Sequence, residues 1–422
     1  MFHKLLKSTA LLAVAFIGFL SCDKMPQEQK VPERPQKTPG KYIYVQGREL
    51  LLPDKSRFEM RGVNLAGWLS PDGRVIGLDS SISEREITSL LLQIAGPGKT
   101  AAFWSSYKAN FVTKADIEFI ASCGANTVRV PFDWRLFSDR DFMGLTVSQD
   151  GFAILDNLFT WCNETGLYVI LTMQSAPGGQ SGDESDNGFA YPFLMDSREA
   201  QTEFANVWKK IAEHFKNEKR LLGYELMDAP VYDCTQFQSL GTKVEALSRK
   251  AVKSIRSVDA NHTIILDAIH SGTDFSCYED FEFDDNILYA GKASSPDVLS
   301  GFLHFREYST GLPLLVVETS VPASQTADVR IEMDRNGFGY AFSPYKSSNG
   351  SNAFLTVPEV AGWSKVKSLS DAPRNSIDEI HALKFSLGEI SSALDAFVNA
   401  CRIENCQKNQ SFIKSTGFTE AI

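Results

Sequence analysis

The stretch from Leu221 to Pro230 reads LLGYELMDAP. It is apolar or β-prone except for Glu225, and it closes on an acid, an alanine and a proline. So little polar alternation suits a strand buried on both faces, and Pro230, lacking a backbone N–H, marks where that strand must stop. The helical run from Trp208 to Arg220 precedes it. In α/β proteins the chemistry sits just beyond the ends of such strands, so Asp228, Ala229 and Pro230 are the first place to look for a site.

Working outward, seven further strands are expected: Gly62–Leu69, Asn126–Trp134, Tyr168–Gln174, Thr263–Ile269, Asn286–Ala293, Leu312–Ser320 and Gly339–Lys346. Helical segments separate most of them, among them Ser83–Cys123 (broken at Gly96-Pro97-Gly98), Phe152–Glu164, Ser197–Asn217 and Phe237–Val258. Eight strands alternating with helices predict an α/β fold, a (β/α)8 barrel. The alternating segment Lys41–Gly62 predicts a small β-hairpin in front of it, with Pro53-Asp54 at the turn. A last helical region is expected from Ile377 to about Glu404, and Ser347–Asn375 has no clear pattern.

With these frames in place, LLGYELMDAP closely resembles the strand-4 segment of glycoside hydrolase family 5, where Asn-Glu-Pro ends the strand and the Glu is the acid/base. The resemblance covers most of Tyr42 to about Gly417 and includes RGVNLAGWL and NTVRVPFDW. It implies a barrel over residues 42–417. It also implies that Glu318, in VVETS on the seventh barrel strand, holds the position of the nucleophile, and that Arg129, in NTVRVPF, is the arginine that orients it. An arginine inside an apolar strand needs a buried anion in any case, which gives an Arg129–Glu318 pairing a physical reason of its own.

The remaining positions that the resemblance points to have changed. Gln174 stands where a histidine is expected, Asp228 replaces the Asn and Ala229 replaces the acid/base Glu. Lys292 and Ser294 replace a His-x-Tyr motif, and Ser343 replaces the Trp that floors the sugar site. Of the eight positions the family shares, only Arg129 and Glu318 match. Retaining hydrolysis needs two carboxyl groups, one to attack and one to protonate the leaving oxygen, and Ala229 can do neither. Two readings of Lys292 stand: a charge-balanced cluster of Lys292, Arg129, Glu318 and Asp228 that fills the former pocket, or a site adapted to an anionic ligand.

Three functions stay open. One is a catalytically silent barrel that binds a glycan or assists polysaccharide utilisation. Another is a retaining, glucanase-like O-glycosyl hydrolase whose acid has moved to Asp267, His270 or the loop carrying Asp183, Glu184 and Asp186. The third is a structural or partner-binding surface lipoprotein.

Composition narrows the partners. The chain has 422 residues and a net charge of −10, with no basic run of the kind phosphate binding requires, so nucleic acid is excluded as a partner. No Cys/His cluster has zinc-ligand spacing, so no metal is expected, nor any cofactor; the protein is expected to be a monomer. His3, Lys4 and Lys7 precede an apolar run from Leu11 to Leu20, too short to span a bilayer. Phe19-Leu20-Ser21-Cys22 resembles a bacterial lipoprotein cleavage box. This implies a signal peptide over 1–21, lipidation of Cys22 and a Pro-rich tether over 22–41, with the body held at an outer membrane or cell surface.

Export allows cysteines to pair. Cys234 and Cys277 are the first candidates for a disulfide, Cys123 and Cys162 read as buried thiols, and Cys401 and Cys406 are awkwardly spaced for a bridge. If Cys22 carries the lipid, Cys22→Ala protein will be released from membranes or left unprocessed, and a fatty-acid analogue will label the wild type but not the variant.

Overall fold

The β-prone runs close into a ring. The computed structural model describes residues 36–139, 150–188, 190–233, 239–319, 321–348, 350 and 352–419. The expected signal segment, Cys22, the tether up to residue 35, and Cys234 lie outside the described residues. Eight parallel strands form a closed barrel in the order β10-β3-β4-β5-β6-β7-β8-β9. They are β3 (Arg61–Asn64), β4 (Thr127–Asp133), β5 (Tyr168–Ser175), β6 (Leu221–Glu225), β7 (Thr263–Asp267), β8 (Ile287–Ala293), β9 (Leu314–Thr319) and β10 (Gly339–Phe342). This is the (β/α)8 architecture expected from the alternation, with helices such as Gly151–Thr165, Arg198–Phe215 and Val244–Arg256 packed outside.

Two apolar layers hold it. The inner one joins Ile170, Leu222, Ile265, Leu288, Leu315 and Val317 from the strands to Ile43, Leu50, Phe58 and Met60. These last residues come from the N-terminal segment, so the hairpin β1 (Tyr44–Gln46) and β2 (Glu49–Leu51) plugs the bottom of the barrel. The hairpin turns at Gly47, with φ +56°, rather than at Pro53-Asp54. Pro53-Asp54 makes a second turn that brings Arg57 back against Leu51. Glycine fits the tighter reversal because a positive φ costs it nothing.

Two irregularities set which side chains face inward. β6 carries one extra residue against β5, because Val169 pairs with Leu221 and the next residue, Ile170, with Gly223. The bulge lets both Leu222 and Glu225 face the barrel axis, while Tyr224 turns out to bond Asp259. Gly223 is required there, since a β-carbon would meet the Thr263 carbonyl oxygen at 2.5 Å. A similar shift in β9 sets Glu318 beside Lys292 of β8.

The stretch after β10 that had no clear pattern carries β11 (Lys346–Ser347), β12 (Leu355–Thr356) and helix Trp363–Asp371, and β13 (Gln407–Lys408) from nearer the C-terminus completes a three-stranded sheet with the two strands. Lys346 fixes this layer to the barrel shell: its fully buried ammonium group meets Asp116 at 2.5 Å and donates to the carbonyls of Phe111 and Cys401.

Candidate functional site

The lower barrel is filled with aliphatic side chains, whereas the inward positions near the C-terminal strand ends are polar on every side. Asn64, Arg129, Thr172, Glu225, Asp267, Lys292, Glu318 and Ser343 form this upper layer, one from each of the eight strands or its end. Arg129 is the hub. It is 1 % exposed, and its Nε donates to both carboxylate oxygens of Glu225 at 2.8 and 3.1 Å, while an Nη2 bond to Glu225 completes a fork. Nη2 also donates to Asp228 Oδ1 at 2.6 Å. Thr172 Oγ1 donates to the other Glu225 oxygen at 2.8 Å, so Glu225 is fully engaged.

This corrects the expected Arg129–Glu318 pairing. Glu318 lies 3.8 Å from Arg129 Nη1, an ion pair without a hydrogen bond, and the residue that satisfies the buried guanidinium is Glu225. Arg129 keeps Glu318 as a longer ion pair, while its hydrogen bonds go to Glu225 and Asp228. The available signal was that Glu225 is the one charge within the apolar part of LLGYELMDAP, ahead of Asp228, but only the β6 bulge turns it toward Arg129.

The second cation, Lys292, donates to Asp228 Oδ2 at 2.8 Å and lies 3.4 Å from Glu318 Oε2. Asp228 thus has one oxygen on each cation. Burial alone would raise its pKa, but the Lys292 and Arg129 charges and their hydrogen bonds outweigh burial and hold it down to about 2. Burial would likewise lower the Lys292 pKa, yet Asp228 and Glu318 push it above the ordinary lysine value. Neither group has a proton to exchange near neutrality. Asn64, which sequence reading missed, donates toward Glu318 Oε2 at 3.5 Å and to Ser343 Oγ at 3.3 Å.

Asp267 completes the layer. One of its oxygens accepts from the Ala229 N–H at 3.1 Å; the other is buried without a hydrogen-bond partner. Burial, then the facing charges of Glu225 and Asp228, hold its pKa well above the usual carboxylate range. Its surroundings thus favour the protonated form. Oxygens of Glu225, Asp228 and Asp267 lie within 4.8 Å of one another, a grouping of the kind that can hold a metal. Here the guanidinium of Arg129 and the ammonium of Lys292 already sit on that group, so a cation would compete with two fixed charges.

Above this layer lies an open cleft of about 530 Å³. Gln174, Asp228, Ala229, Lys292, Ser294, Glu318 and Ser343 all line it, so seven of the positions singled out in the sequence meet in one place; Arg129 lies beneath the floor. The charge cluster floors the pocket and does not fill it. Cys277 is buried, and its proposed partner Cys234 falls outside the described residues.

Residues 92–297 match the family model for cellulase (glycosyl hydrolase family 5). Just under half of the chain is thus similar to that family. The matched stretch runs from the first outer helix to the end of β8 and so includes Arg129, Glu225, Asp228, Ala229 and Lys292, but not Glu318. A beta-xylosidase from Phanerodontia chrysosporium is 28% identical over 242 residues, covering 57% of this chain and 49% of the relative. Endoglucanase C from Acetivibrio thermocellus is 25% identical over 205 residues, covering 49% of this chain and 48% of the relative. The chain spans about half the length of these curated relatives. Among solved structures, a rutinosidase from Aspergillus niger superposes with a TM-score of 0.58 at 16% identity, over 70% of this chain and 92% of that one. A beta-glucanase from Saccharophagus degradans gives 0.51 at 16% identity, over 88% and 99%. At such identities these likenesses show the barrel fold.

Two outcomes follow from the network. Asp228→Asn removes the anion shared by two buried cations and should cost on the order of 3–5 kcal/mol. Glu318→Gln, at a carboxylate one-quarter exposed and without a fork to either cation, should cost about 1 kcal/mol or less. Urea unfolding of the two variants would test this ranking. Asp267 supplies a pH signature. With a folded-state pKa above the unfolded value, its contribution to stability falls as pH rises through that interval. Asp267→Asn keeps an acceptor for Ala229 and abolishes the titration, so its stability relative to wild type should increase as pH rises above the ordinary carboxylate range.

Proposed function

We propose that this barrel binds a glycan in its strand-end cleft and does not hydrolyse it, and that it works in polysaccharide utilisation as a lipoprotein held at a membrane through Cys22. The observation that carries the reading is the state of Asp228 beside Ala229. Protonating a glycosidic oxygen needs a carboxylic acid facing the sugar opposite the nucleophile, with about 5 to 5.5 Å between the two groups in a retaining enzyme. The acid/base position is occupied by a methyl group, and the adjacent carboxylate is bound by two cations and held ionised.

Other carboxyl groups on the cleft wall are committed elsewhere. Asp72 pairs with Arg74 at 2.8 Å. Asp183 accepts from the Ser185 N–H and hydroxyl, and buried Asp186 accepts from Ser181 and the Gly188 N–H. Burial raises the pKa of Asp186 as it does that of Asp267, and of the two only Asp267 keeps an oxygen without a hydrogen-bond partner. Asp267 is 4 % exposed, however, and lies behind the Ala229 backbone rather than on the cleft wall. The open cleft supports retained binding, since a pocket with no ligand to accommodate has no need to exclude the side chains around it.

Relatives bear names such as endoglucanase, beta-xylosidase and probable glucan endo-1,6-beta-glucosidase, so cello-, laminari-, gentio- and xylo-oligosaccharides are the probes of choice. Departure of a natural sugar needs the missing proton, whereas fluoride or dinitrophenolate leaves without it. The expected result is no turnover of the oligosaccharides, and none of activated glycosides even with azide present. Formation of a glycosyl azide that disappears in Glu318→Ala would reveal a crippled glycosidase. Cleavage of a plain oligosaccharide by the wild type would show that the acid has moved.

A further inference from the structure

The cleft is not strained evenly. Seven non-glycine residues have a positive φ among the described residues, and all but Lys55 lie on the three loops that follow β5, β6 and β7. The values are +37° at Ala229, +51° at Val231, +53° at His270 and +58° at Ser271, with Asn187 and Ala190 on the first loop. Val231 is the most telling, because a β-branched residue has almost no access to that region. Such conformations persist only where the surroundings over-determine them, and they concentrate at sites that must be held in one shape.

Here the surroundings are neighbouring loops. The Val231 N–H donates to the Gln180 carbonyl at 3.0 Å and the Tyr232 N–H to that of Ser181 at 2.7 Å. The His270 N–H donates to the Val231 carbonyl at 3.0 Å, and Gln180 Nε2 to that of Asp228 at 3.1 Å. Three loops are thereby stitched into one wall. The residue this wall presents is Tyr232, 48 % exposed and the one aromatic side chain among the described residues that line the cleft.

We infer that Tyr232 is the platform on which the glycan rests. The inference builds on the glycan-binding reading above and locates most of the binding contact on the outer wall rather than over the charged floor. A pyranose ring offers an apolar face of C–H groups that fits flat against a phenol ring, while its edge hydroxyls need polar partners. Ser181, Asp183, Ser271 and Thr273 line the same cleft and supply donors and acceptors of that kind. A backbone pinned at Val231 and Tyr232 fixes the point from which the ring projects, so binding has only the side-chain torsions to order. The ligand class is a neutral oligosaccharide with equatorial hydroxyls, whose ring faces are free of axial oxygen.

The test is titration calorimetry of the full chain with cello-, laminari-, gentio- and xylo-oligosaccharides, on wild type, Tyr232→Ala, Tyr232→Phe and Tyr308→Ala. Tyr308 is 79 % exposed and does not line the cleft, so it controls for loss of any surface tyrosine. We expect Tyr232→Ala to weaken binding about tenfold or more. Tyr232→Phe should stay within about twofold, and Tyr308→Ala should match wild type. Unchanged melting temperatures will show that the exposed substitutions leave the fold intact. If wild type binds and Tyr232→Ala binds as well, or Tyr232→Phe loses as much as Tyr232→Ala, the platform is overturned and the glycan-binding reading survives. If wild type binds none of the four, both fall together.

Discussion

A guanidinium group sealed inside a barrel has to be neutralised, and in this protein that demand organises the upper half of the molecule. Arg129 cannot reach water at 1 % exposure, and an unpaired buried charge would cost more than most single contacts can return. Glu225 meets it with a two-pronged fork, Asp228 adds a further bond, and Thr172 holds the outer oxygen of Glu225. Making that fork requires Glu225 to face inward, which the β6 bulge accomplishes and Gly223 permits. The chain therefore spends a strand irregularity and a glycine on one ion pair.

The substitutions around the cleft are coherent once the network is treated as a unit. An asparagine beside the arginine would be neutral; Asp228 brings a charge, and Lys292 balances it from β8, two strands round the barrel from β6. Three carboxyl groups, Glu225, Asp228 and Glu318, already face the two cations, and burial together with the charges of Glu225 and Asp228 raises the pKa of Asp267. The result is a floor of interlocked charges in which each cation is shared between carboxylates. That differs from a hydrolase site, where one carboxyl must ionise while its partner stays protonated and exposed to the substrate. The floor closes the barrel from below, leaving the cleft above it open and its shape set by the loops.

Those loops divide the cleft into unlike halves. On one side Glu318, Ser343 and Pro344 follow β9 and β10; on the other, strained backbone at Ala229, Val231, His270 and Ser271 is knitted together by main-chain hydrogen bonds. Strain of this kind is kept where shape matters, and here it lies beside the one aromatic residue on the described cleft wall rather than beside the carboxylate of the nucleophile position. A binding role accounts for that distribution better than a surviving catalytic one.

Much of this was legible in the sequence. The apolar runs and their helical spacers determined a (β/α)8 barrel, since strands buried on both faces can be satisfied in few other ways. That Ala229, Lys292 and Ser343 stand where the resemblance points to other groups was visible directly, because the identity of a functional group is a property of the residue itself. Glu225 was visible as a lone charge, yet its partnership with Arg129 was not, because a one-residue bulge decides which face a strand side chain takes and alternation alone cannot locate it. Asn64 and Tyr232 escaped for a related reason: a polar residue in a strand and a tyrosine in a loop are common, and only closure of the ring brings them to one cleft. The openness of that cleft was decided by tertiary structure alone, since it depends on how far four side chains from four strands extend toward one another.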